Sequence, residues 1–261
     1  MRTQEKHATR FRSIQTSLLF VIVPAVIISM AVLSLMGYLS SKAIIQTSAG
    51  NEMSQCLSVA MGSIEMSLSN NRMVAETMAR GVEAVQRQAV KGEQTASDWD
   101  AAAYQEILTS FVGSNPETFG GGIWFEPYQY RPEQRYFSPY CMRQNGAVTY
   151  VDNYSLGEGV YYTDQDWYTN AANTTQKSVW SAPYYDEFAQ ISMVTSSAPI
   201  YDETGRFLGV ATADIDLTQM QQMVLSLDVV ANGRAFLIDD TGVYIADEDS
   251  EKLLSANILE D

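Results

Sequence analysis

The chain has 261 residues, of which 46% are hydrophobic and 11% aromatic, so it can bury a substantial core and global disorder is not expected. Its formal net charge is −15, and after residue 42 it contains 30 Asp and Glu residues against 11 Lys and Arg residues. A surface this acidic excludes nucleic-acid binding, which needs clustered cations to replace the phosphate counterions.

An apolar run at residues 18–39 contains no charged residue and is preceded by several Arg and Lys residues. As a helix it would be about 33 Å long, enough to cross a bilayer core of about 30 Å. The alternative is a secretory signal peptide, but its apolar region would be only about 7–15 residues long. We therefore predict an uncleaved anchor, with residues 1–17 in the cytoplasm and the chain after about residue 40 outside.

Residues 43–90 contain no proline, and their apolar residues recur at helical spacing. Such a helix would be about 70 Å long, far longer than an ordinary globular helix. The apolar stripe predicts a stalk that pairs with a second copy of the chain. The alternative is that the stripe packs onto the following domain, and both arrangements can apply to different parts of one helix.

Beyond residue 113 the sequence changes to short apolar and aromatic runs separated by Gly, Asn, Asp and Pro, which is typical of strands. Turn signals at 144–146, 202–205 and 240–242 predict three hairpins. The candidate strands are 121–125, 135–143, 148–151, 191–201, 206–216, 235–239 and 243–246, and the candidate helices are 102–112, 167–172 and 217–227. This pattern indicates an α+β fold in which helices cover a sheet.

Residues 164–186 combine aromatic rings with carboxylates and contain a single basic residue, Lys177. That composition is typical of a pocket that stacks on, and pairs with, a small cationic or amine-bearing molecule. The alternative is an acidic surface loop whose aromatic residues cover a sheet. Asp214, which follows an apolar strand, would add a further carboxylate, whereas Trp124 and Trp180 are interpreted as core residues.

The few histidines and cysteines limit the chemistry of the chain. His7 lies in the basic N-terminal segment, and Cys56 and Cys141 form no metal or redox motif. Two free thiols are expected, the alternative being one long-range disulfide. A His-ligated metal site is excluded outside the N-terminal segment. The sequence contains no Asp-x-Asp-x-Asp-Gly loop, so it does not predict a calcium site. We therefore expect no cofactor and no metal ion.

Three ordered motifs, DWY at 166–168, PYYD at 183–186 and GVATAD at 209–214, resemble the double Cache sensor family of bacterial chemoreceptors and sensor kinases. The resemblance covers about residues 43–261 and implies a membrane-distal, PAS-like antiparallel sheet that binds the ligand. It divides the chain into a cytoplasmic tail at 1–17, a transmembrane helix at 18–39, a stalk helix at 43–90, a ligand-binding module at 91–230 and the start of an incomplete membrane-proximal module at 231–261.

By the same resemblance, the chain is expected to be a truncated receptor or a fragment of one, with a single span in the bacterial plasma membrane. It would bind a small molecule for signal transduction or chemotaxis, form a homodimer through the stalk and have no enzymatic activity. Two other functions remain open. A membrane-anchored extracytoplasmic hydrolase would use an acid pair such as Asp164 and Asp186, and an adhesion ectodomain would use the helix for assembly.

The amino-acid-binding branch of this family has a residue motif that can be placed on the sequence. By that resemblance, together with the acidic stretch itself, the expected ligand-binding residues are Trp167, Tyr168, Tyr184, Asp186, Asp214 and, with the register open between Tyr161 and Tyr162, one upstream tyrosine. The arginine that holds the ligand carboxylate falls on Gln165, which offers no charge for a charge-assisted hydrogen bond of about 1.5–3 kcal/mol. The expected ligand is therefore an amine or other cation, with an amino acid as the second choice.

Overall fold

The structure is a computed structural model that describes residues 14–89, 101–152, 154, 161–227, 229 and 233–260. The chain divides into two compact units, Met1–Gln55 and Cys56–Asp261. Helix α1, Ile14–Ala89, contributes residues to both units. The predicted cytoplasmic tail at 1–17 lies mostly outside the described residues.

In the first unit, α1 contains a segment that is long and apolar enough to cross a membrane. Its apolar side chains are exposed, including Phe20, Ile28 and Leu33. Pro24 lies inside the helix near the start of this segment. Apolar side chains exposed along a whole helix need a lipid or protein environment. The predicted membrane helix is therefore confirmed as a candidate span by length and composition, and its orientation stays a prediction.

In the second unit, the far end of the predicted apolar stripe of α1 is buried, and a different set of apolar side chains on the same helix is exposed. Val74, Met78 and Val82 are at most 5% exposed and belong to the main hydrophobic core. The alternative interpretation, that the stripe packs onto the following domain, therefore applies to this part of the helix. Another set of α1 side chains, at a spacing of seven, is 59–67% exposed: Val59, Met66 and Met73.

The strands of the second unit form one antiparallel sheet of seven strands and a separate hairpin. The order in the large sheet is β3-β2-β1-β7-β6-β4, and β5 also pairs with β6. The bounds are α2 Ala101–Ser114, β1 Gly120–Phe125, β2 Tyr140–Gln144, β3 Ala147–Val151, α3 Asp166–Ala172, β4 Val179–Trp180, β5 Tyr184–Asp186, β6 Ile191–Tyr201, β7 Phe207–Asp216, α4 Leu217–Leu225, β8 Leu237–Ile238 and β9 Tyr244–Ala246. The predicted α+β fold is thus confirmed.

The three predicted hairpins are present as β2–β3, β6–β7 and β8–β9. The first turns at Asn145 and Gly146, both with positive φ, which is the backbone that Asn-Gly favours in a two-residue hairpin loop. The predicted strand at 135–143 is wrong in its first half, because β2 begins only at Tyr140. The preceding loop contains three prolines, whose backbone nitrogens cannot donate hydrogen bonds to a neighbouring strand. The same loop buries Phe137 against Tyr130, with the two ring centroids 3.8 Å apart.

Alternation along the strands gives the large sheet two faces. One face packs on α1 and α2 through residues such as Ile123, Ile200 and Ala211. The other face carries Trp124 and Tyr140, which form a second, mainly aromatic core with Trp167 of α3. The separate hairpin β8–β9 contacts α4 through a 3.0 Å hydrogen bond from Gln221 Nε2 to the Ile245 carbonyl oxygen. That this hairpin begins a second sensor module, with a boundary near residue 231, stays a prediction.

Candidate functional site

A small pocket of about 10 Å³, the space of about one water molecule, lies on the aromatic face of the large sheet. A larger ligand therefore requires the lining side chains to move apart. The lining consists of five aromatic rings, two carboxylates, two threonines and one methionine: Trp124, Tyr140, Tyr154, Trp167, Tyr184, Asp186, Met193, Thr195, Thr212 and Asp214. None of these residues is basic.

Asp214 lies on β7, is 3% exposed and accepts hydrogen bonds at both carboxylate oxygens. The Tyr140 hydroxyl donates to Oδ2 at 2.8 Å, and the Thr195 hydroxyl donates to Oδ1 at 2.8 Å. Because a hydroxyl has one proton to donate, the 2.8 Å contact between Tyr184 and Thr195 must have Tyr184 as the donor. Three hydroxyl groups are therefore oriented, directly or in series, toward Asp214.

The glycines of β1 explain how Tyr140 reaches Asp214. Tyr140 lies on β2 and Asp214 on β7, with β1 between these two strands. The register places Gly122 opposite Tyr140 and Gly120 opposite Asp214. A Cβ atom at Gly120 would collide with the Tyr140 hydroxyl, and one at Gly122 would lie 2.9 Å from the Tyr140 ring. The absence of side chains at these glycines lets the tyrosine cross β1 to the carboxylate.

Burial raises the pKa of Asp214 to about 7, and the nearby charge of Asp186 adds to the increase. The hydrogen bonds from Thr195 and Tyr140 act in the opposite direction, because they stabilise the ionised carboxylate. Burial also raises the pKa of Tyr140 and of Tyr184, so both hydroxyls keep their protons at neutral pH. The carboxyl group of Asp214 is consequently poised to change its charge near neutral pH.

Asp186 provides the second carboxylate of the pocket and is held by its own turn. Its Oδ1 accepts hydrogen bonds from the backbone amides of Phe188 at 2.9 Å and Ala189 at 2.7 Å. The Tyr154 hydroxyl donates to the same carboxylate, at 3.2 Å from Oδ1 and 3.3 Å from Oδ2. Within the described part of the chain, Oδ2 has only that long contact, so this oxygen retains most of its capacity to accept hydrogen bonds.

Trp124 is the centre of the aromatic wall. Its ring centroid lies 4.8 Å from that of Trp167, 5.1 Å from that of Tyr154 and 5.5 Å from that of Tyr140. Its indole Nε1 donates to Thr212 Oγ1 at 2.7 Å, which satisfies the polar atom of the ring and fixes its position. The interpretation of Trp124 as a core residue is therefore incomplete, because this buried side chain also lines the pocket.

The structure brings together four of the residues predicted from the sequence: Trp167, Tyr184, Asp186 and Asp214. Gln165, Tyr162 and Tyr168 do not belong to the pocket lining. Tyr168 donates a 2.7 Å hydrogen bond to Glu126 Oε2, and Tyr162 packs 5.5 Å from Trp124, so both support the wall from behind. A ligand-binding role for these three residues stays a prediction.

Sequence reasoning missed several residues of the lining: Tyr140, Tyr154, Met193, Thr195 and Thr212. A sequence signal exists for Thr212, since it lies two residues before Asp214 on one strand and therefore points to the same face. Thr195 is paired with Asp214 across β6 and β7, which requires the strand register to be known. Asp164, part of the acid pair in the hydrolase alternative, is exposed and does not line the pocket.

Comparisons with known proteins identify the fold. Residues 104–222 match the family model described as the first PDC sensor domain of proteins similar to methyl-accepting chemotaxis proteins. The chain is 38% identical over 84 residues to the methyl-accepting chemotaxis protein McpC of Bacillus subtilis, a match that covers 32% of this chain and 13% of McpC. A longer match, to the methyl-accepting chemotaxis protein McpA of Pseudomonas putida, covers 31% of McpA. The chain therefore spans less than a third of either relative.

Solved structures give the same result for the fold. The structure of methyl-accepting chemotaxis protein X has a TM-score of 0.65 at 18% identity, covering 81% of this chain and 78% of that chain. The ligand-binding domain of the Pseudomonas aeruginosa amino acid chemoreceptor PctC, solved with γ-aminobutyrate, has a TM-score of 0.55 at 18% identity and covers 80% of each chain. Extracellular domains of putative histidine kinases also have this fold. Residues 104–222 therefore match the PDC sensor-domain model of chemoreceptor-like proteins by sequence, and the described chain shares its fold with these chemoreceptor and histidine kinase structures.

Proposed function

We propose that this chain is the extracytoplasmic sensor region of a bacterial membrane receptor and that its pocket binds a small molecule with a protonated nitrogen. The observation that carries the proposal is Asp214, a buried carboxylate in an aromatic pocket whose described lining residues include no basic side chain. Once ionised, this group is a buried charge without a cationic partner in the lining. Such a charge is costly unless a cation approaches it.

The groups around Asp214 suit an ammonium ion. A carboxylate can accept about four hydrogen bonds, and Asp214 accepts two from described residues, so it retains capacity for the N–H groups of a ligand. The rings of Trp124 and Trp167 can add cation–π attraction of about 0.5–2 kcal/mol. The same lining would repel a ligand carboxylate, because it presents two acidic residues.

An amino acid is the second candidate ligand class. Two neighbouring structures are titled as complexes with γ-aminobutyrate and with isoleucine, both of which contain an amino group and a carboxylate. In this chain the amino group of such a ligand would have Asp214 as its partner, but its carboxylate would find no cationic residue in the lining. The position where the family resemblance expects arginine is Gln165, which also lies outside the lining. These differences favour a simple amine over an amino acid.

The proposed signalling route uses helix α1. Its residues Val74, Met78 and Val82 are buried against the large sheet, so a change of the sheet around a ligand would be felt by the helix. The same helix includes the apolar segment that would cross the plasma membrane, with the N-terminus in the cytoplasm. The exposed side chains of Val59, Met66 and Met73 would pair with a second copy of the chain. Transmission of the signal then requires that the protein has two conformations with different affinities for the ligand.

A thermal-shift screen of the chain in detergent tests the ligand class. We expect alkyl amines to stabilise the protein by about 3 kcal/mol at a hundredfold excess over the dissociation constant, because they bind only the folded state. Simple carboxylates are expected to give no stabilisation. Stabilisation by carboxylates without stabilisation by amines would overturn the proposed ligand class, and an absence of any response across small molecules would favour the adhesion alternative.

A further inference from the structure

Strand β5 is a weakly held wall of the pocket. It has only three residues, and within the described part of the chain it pairs with β6 alone. Two of its side chains, Tyr184 and Asp186, line the pocket, whereas Tyr185 between them is 55% exposed. A short strand with one hydrogen-bonded neighbour opens at a lower free-energy cost than the central strands of a sheet. β5 is therefore a wall that can move while the rest of the sheet stays in place.

The turn that follows β5 is tied to it and moves with it. Asp186 accepts the backbone amides of residues 188 and 189 at Oδ1, and its carbonyl oxygen accepts the amide of Gln190 at 2.7 Å. Before β5, the backbone amide of Ser181 donates to the Thr195 carbonyl oxygen at 2.9 Å, so the chain there is fixed to β6. These bonds define residues 184–190 as one segment, with residues 182 and 183 as its link to the fixed part of the sheet.

Ionisable groups from several elements surround Asp214 in the pocket. Asp186 of β5 is the other carboxylate, and its charge contributes to the raised pKa of Asp214. The tyrosines are Tyr140 of β2, Tyr154 after β3 and Tyr184 of β5. Burial raises the pKa of each, so their hydroxyls stay uncharged near neutral pH. The other lining residues, on β1, α3, β6 and β7, are not titratable: Trp124, Trp167, Met193, Thr195 and Thr212. The charge of the described lining therefore depends on its two carboxylates.

We propose that residues 184–190 form a gate that opens when Asp214 is ionised, because the two carboxylates then repel each other. The closed pocket has the space of about one water molecule, so two like charges in it are poorly hydrated and interact strongly. Asp214 lies on β7, which is held between β1 and β6, whereas Asp186 lies on the short strand β5. The repulsion therefore displaces β5, which separates the charges and admits water. The inference concerns the ligand-free protein and holds whether or not an amine is the ligand.

Amide hydrogen exchange of the ligand-free 261-residue chain in detergent, measured at pH 6 and pH 8.5, tests the proposal. Protection of each segment is expressed relative to the unfolded chain at the same pH, since exchange itself is faster at higher pH. We expect the protection of residues 184–190 to fall at least about fivefold from pH 6 to pH 8.5, because the open segment leaves β6. Residues 202–206 are the control segment, since Asp202 accepts backbone amides in a similar turn outside the aromatic pocket. Their protection should not change.

The Asp186→Asn variant tests whether repulsion between the carboxylates moves the gate. Asparagine keeps an acceptor oxygen for the amides of Phe188 and Ala189, so the turn is preserved while the charge is removed. We expect the protection of residues 184–190 in this variant to be the same at pH 6 and pH 8.5. Asp202→Asn is the matched control, because it removes a carboxylate from the other turn, and residues 184–190 should then keep the pH response of the wild type.

Three results would overturn the gate. Equal protection of residues 184–190 at both pH values in the wild type would show that ionisation of Asp214 does not open the segment. An equal fall in the control segment would show that the whole sheet loosens as pH rises. A pH response that survives in Asp186→Asn would show that repulsion between the carboxylates does not drive the movement. The comparison of the two segments in the wild type decides the proposal even where a variant is too unstable to measure.

Discussion

At the residue scale, the chemistry of the site depends on one buried carboxyl group. The pKa of Asp214 is raised to about 7, mainly by burial, so the group is protonated in part at neutral pH. An amine binds the ionised form and would lower this pKa in the complex. We expect the apparent affinity for n-butylamine to be constant between about pH 8 and about pH 9.5, where Asp214 is ionised and the amine keeps its proton, and to fall about tenfold per pH unit well below pH 7. Isothermal titration of n-butylamine across this pH range measures the apparent affinity.

The protonation of Asp214 also makes the stability of the ligand-free protein depend on pH. The folded state holds a proton on Asp214 up to about pH 7, whereas the unfolded chain releases it near the ordinary value of 3.8. Between these values the folded state binds more protons, so the contribution of Asp214 to the free energy of unfolding decreases as pH rises. A saturating amine should remove this decrease near neutral pH. If the contribution of Asp214 to the free energy of unfolding increased with pH in the ligand-free protein, the raised pKa of Asp214 would be wrong.

Tyr140 sets the position of that titration. Its hydrogen bond to Asp214 stabilises the ionised carboxylate and therefore lowers the pKa of Asp214. In a Tyr140→Phe variant we expect the midpoint of the pH dependence of amine binding to move to higher pH. Tyr150→Phe, which removes a tyrosine hydroxyl outside the pocket, should leave the midpoint unchanged. A midpoint that does not move in Tyr140→Phe would mean that this hydroxyl has no influence on the binding carboxylate.

At the scale of the elements, strand β1 acts as a groove for a side chain of its neighbour. Tyr140 passes from β2 over Gly122 and Gly120 to reach Asp214 on β7. In Gly120→Ala the new methyl group would collide with the Tyr140 hydroxyl, so we expect a loss of stability of about 1–3 kcal/mol and weaker amine binding. Gly113→Ala in helix α2 meets no atom within 4 Å and should not destabilise. Denaturant unfolding of both variants distinguishes these effects.

The elements that the sequence predicted well are those with local signals. The charge-free apolar run and the Asn-Gly turn each predict structure from neighbouring residues, and the structure agrees. The pocket partners of Asp214 were missed because they depend on strand order. Tyr140 becomes a partner only because β1 lies between β2 and β7, and Thr195 only because of its register with Asp214. Pairing between strands distant in sequence has no local pattern to indicate it.

At the scale of the whole molecule, we propose that the receptor pairs two copies of the chain. The exposed residues Val59, Met66 and Met73 recur every seven positions, which is the repeat of a coiled-coil seam. We expect a Met66→Cys variant, in a Cys56→Ser background, to form a disulfide-linked dimer in membranes under mild oxidation. Met61→Cys is the matched control, because Met61 is 59% exposed but lies on another side of the helix. Equal cross-linking at both positions would contradict pairing along this seam.

Amine binding by the protein depends on Asp214 as the anion that holds the ligand. At pH 8 the Asp214→Asn variant removes a buried charge, so its melting temperature should be at least that of the wild type while amine binding is lost. Isothermal titration of n-butylamine into both proteins is the most direct test. We expect the wild type to release or absorb heat on binding n-butylamine and the folded Asp214→Asn variant to give no heat of binding. Equal affinity of the two proteins for the amine would show that Asp214 is not the group that binds it.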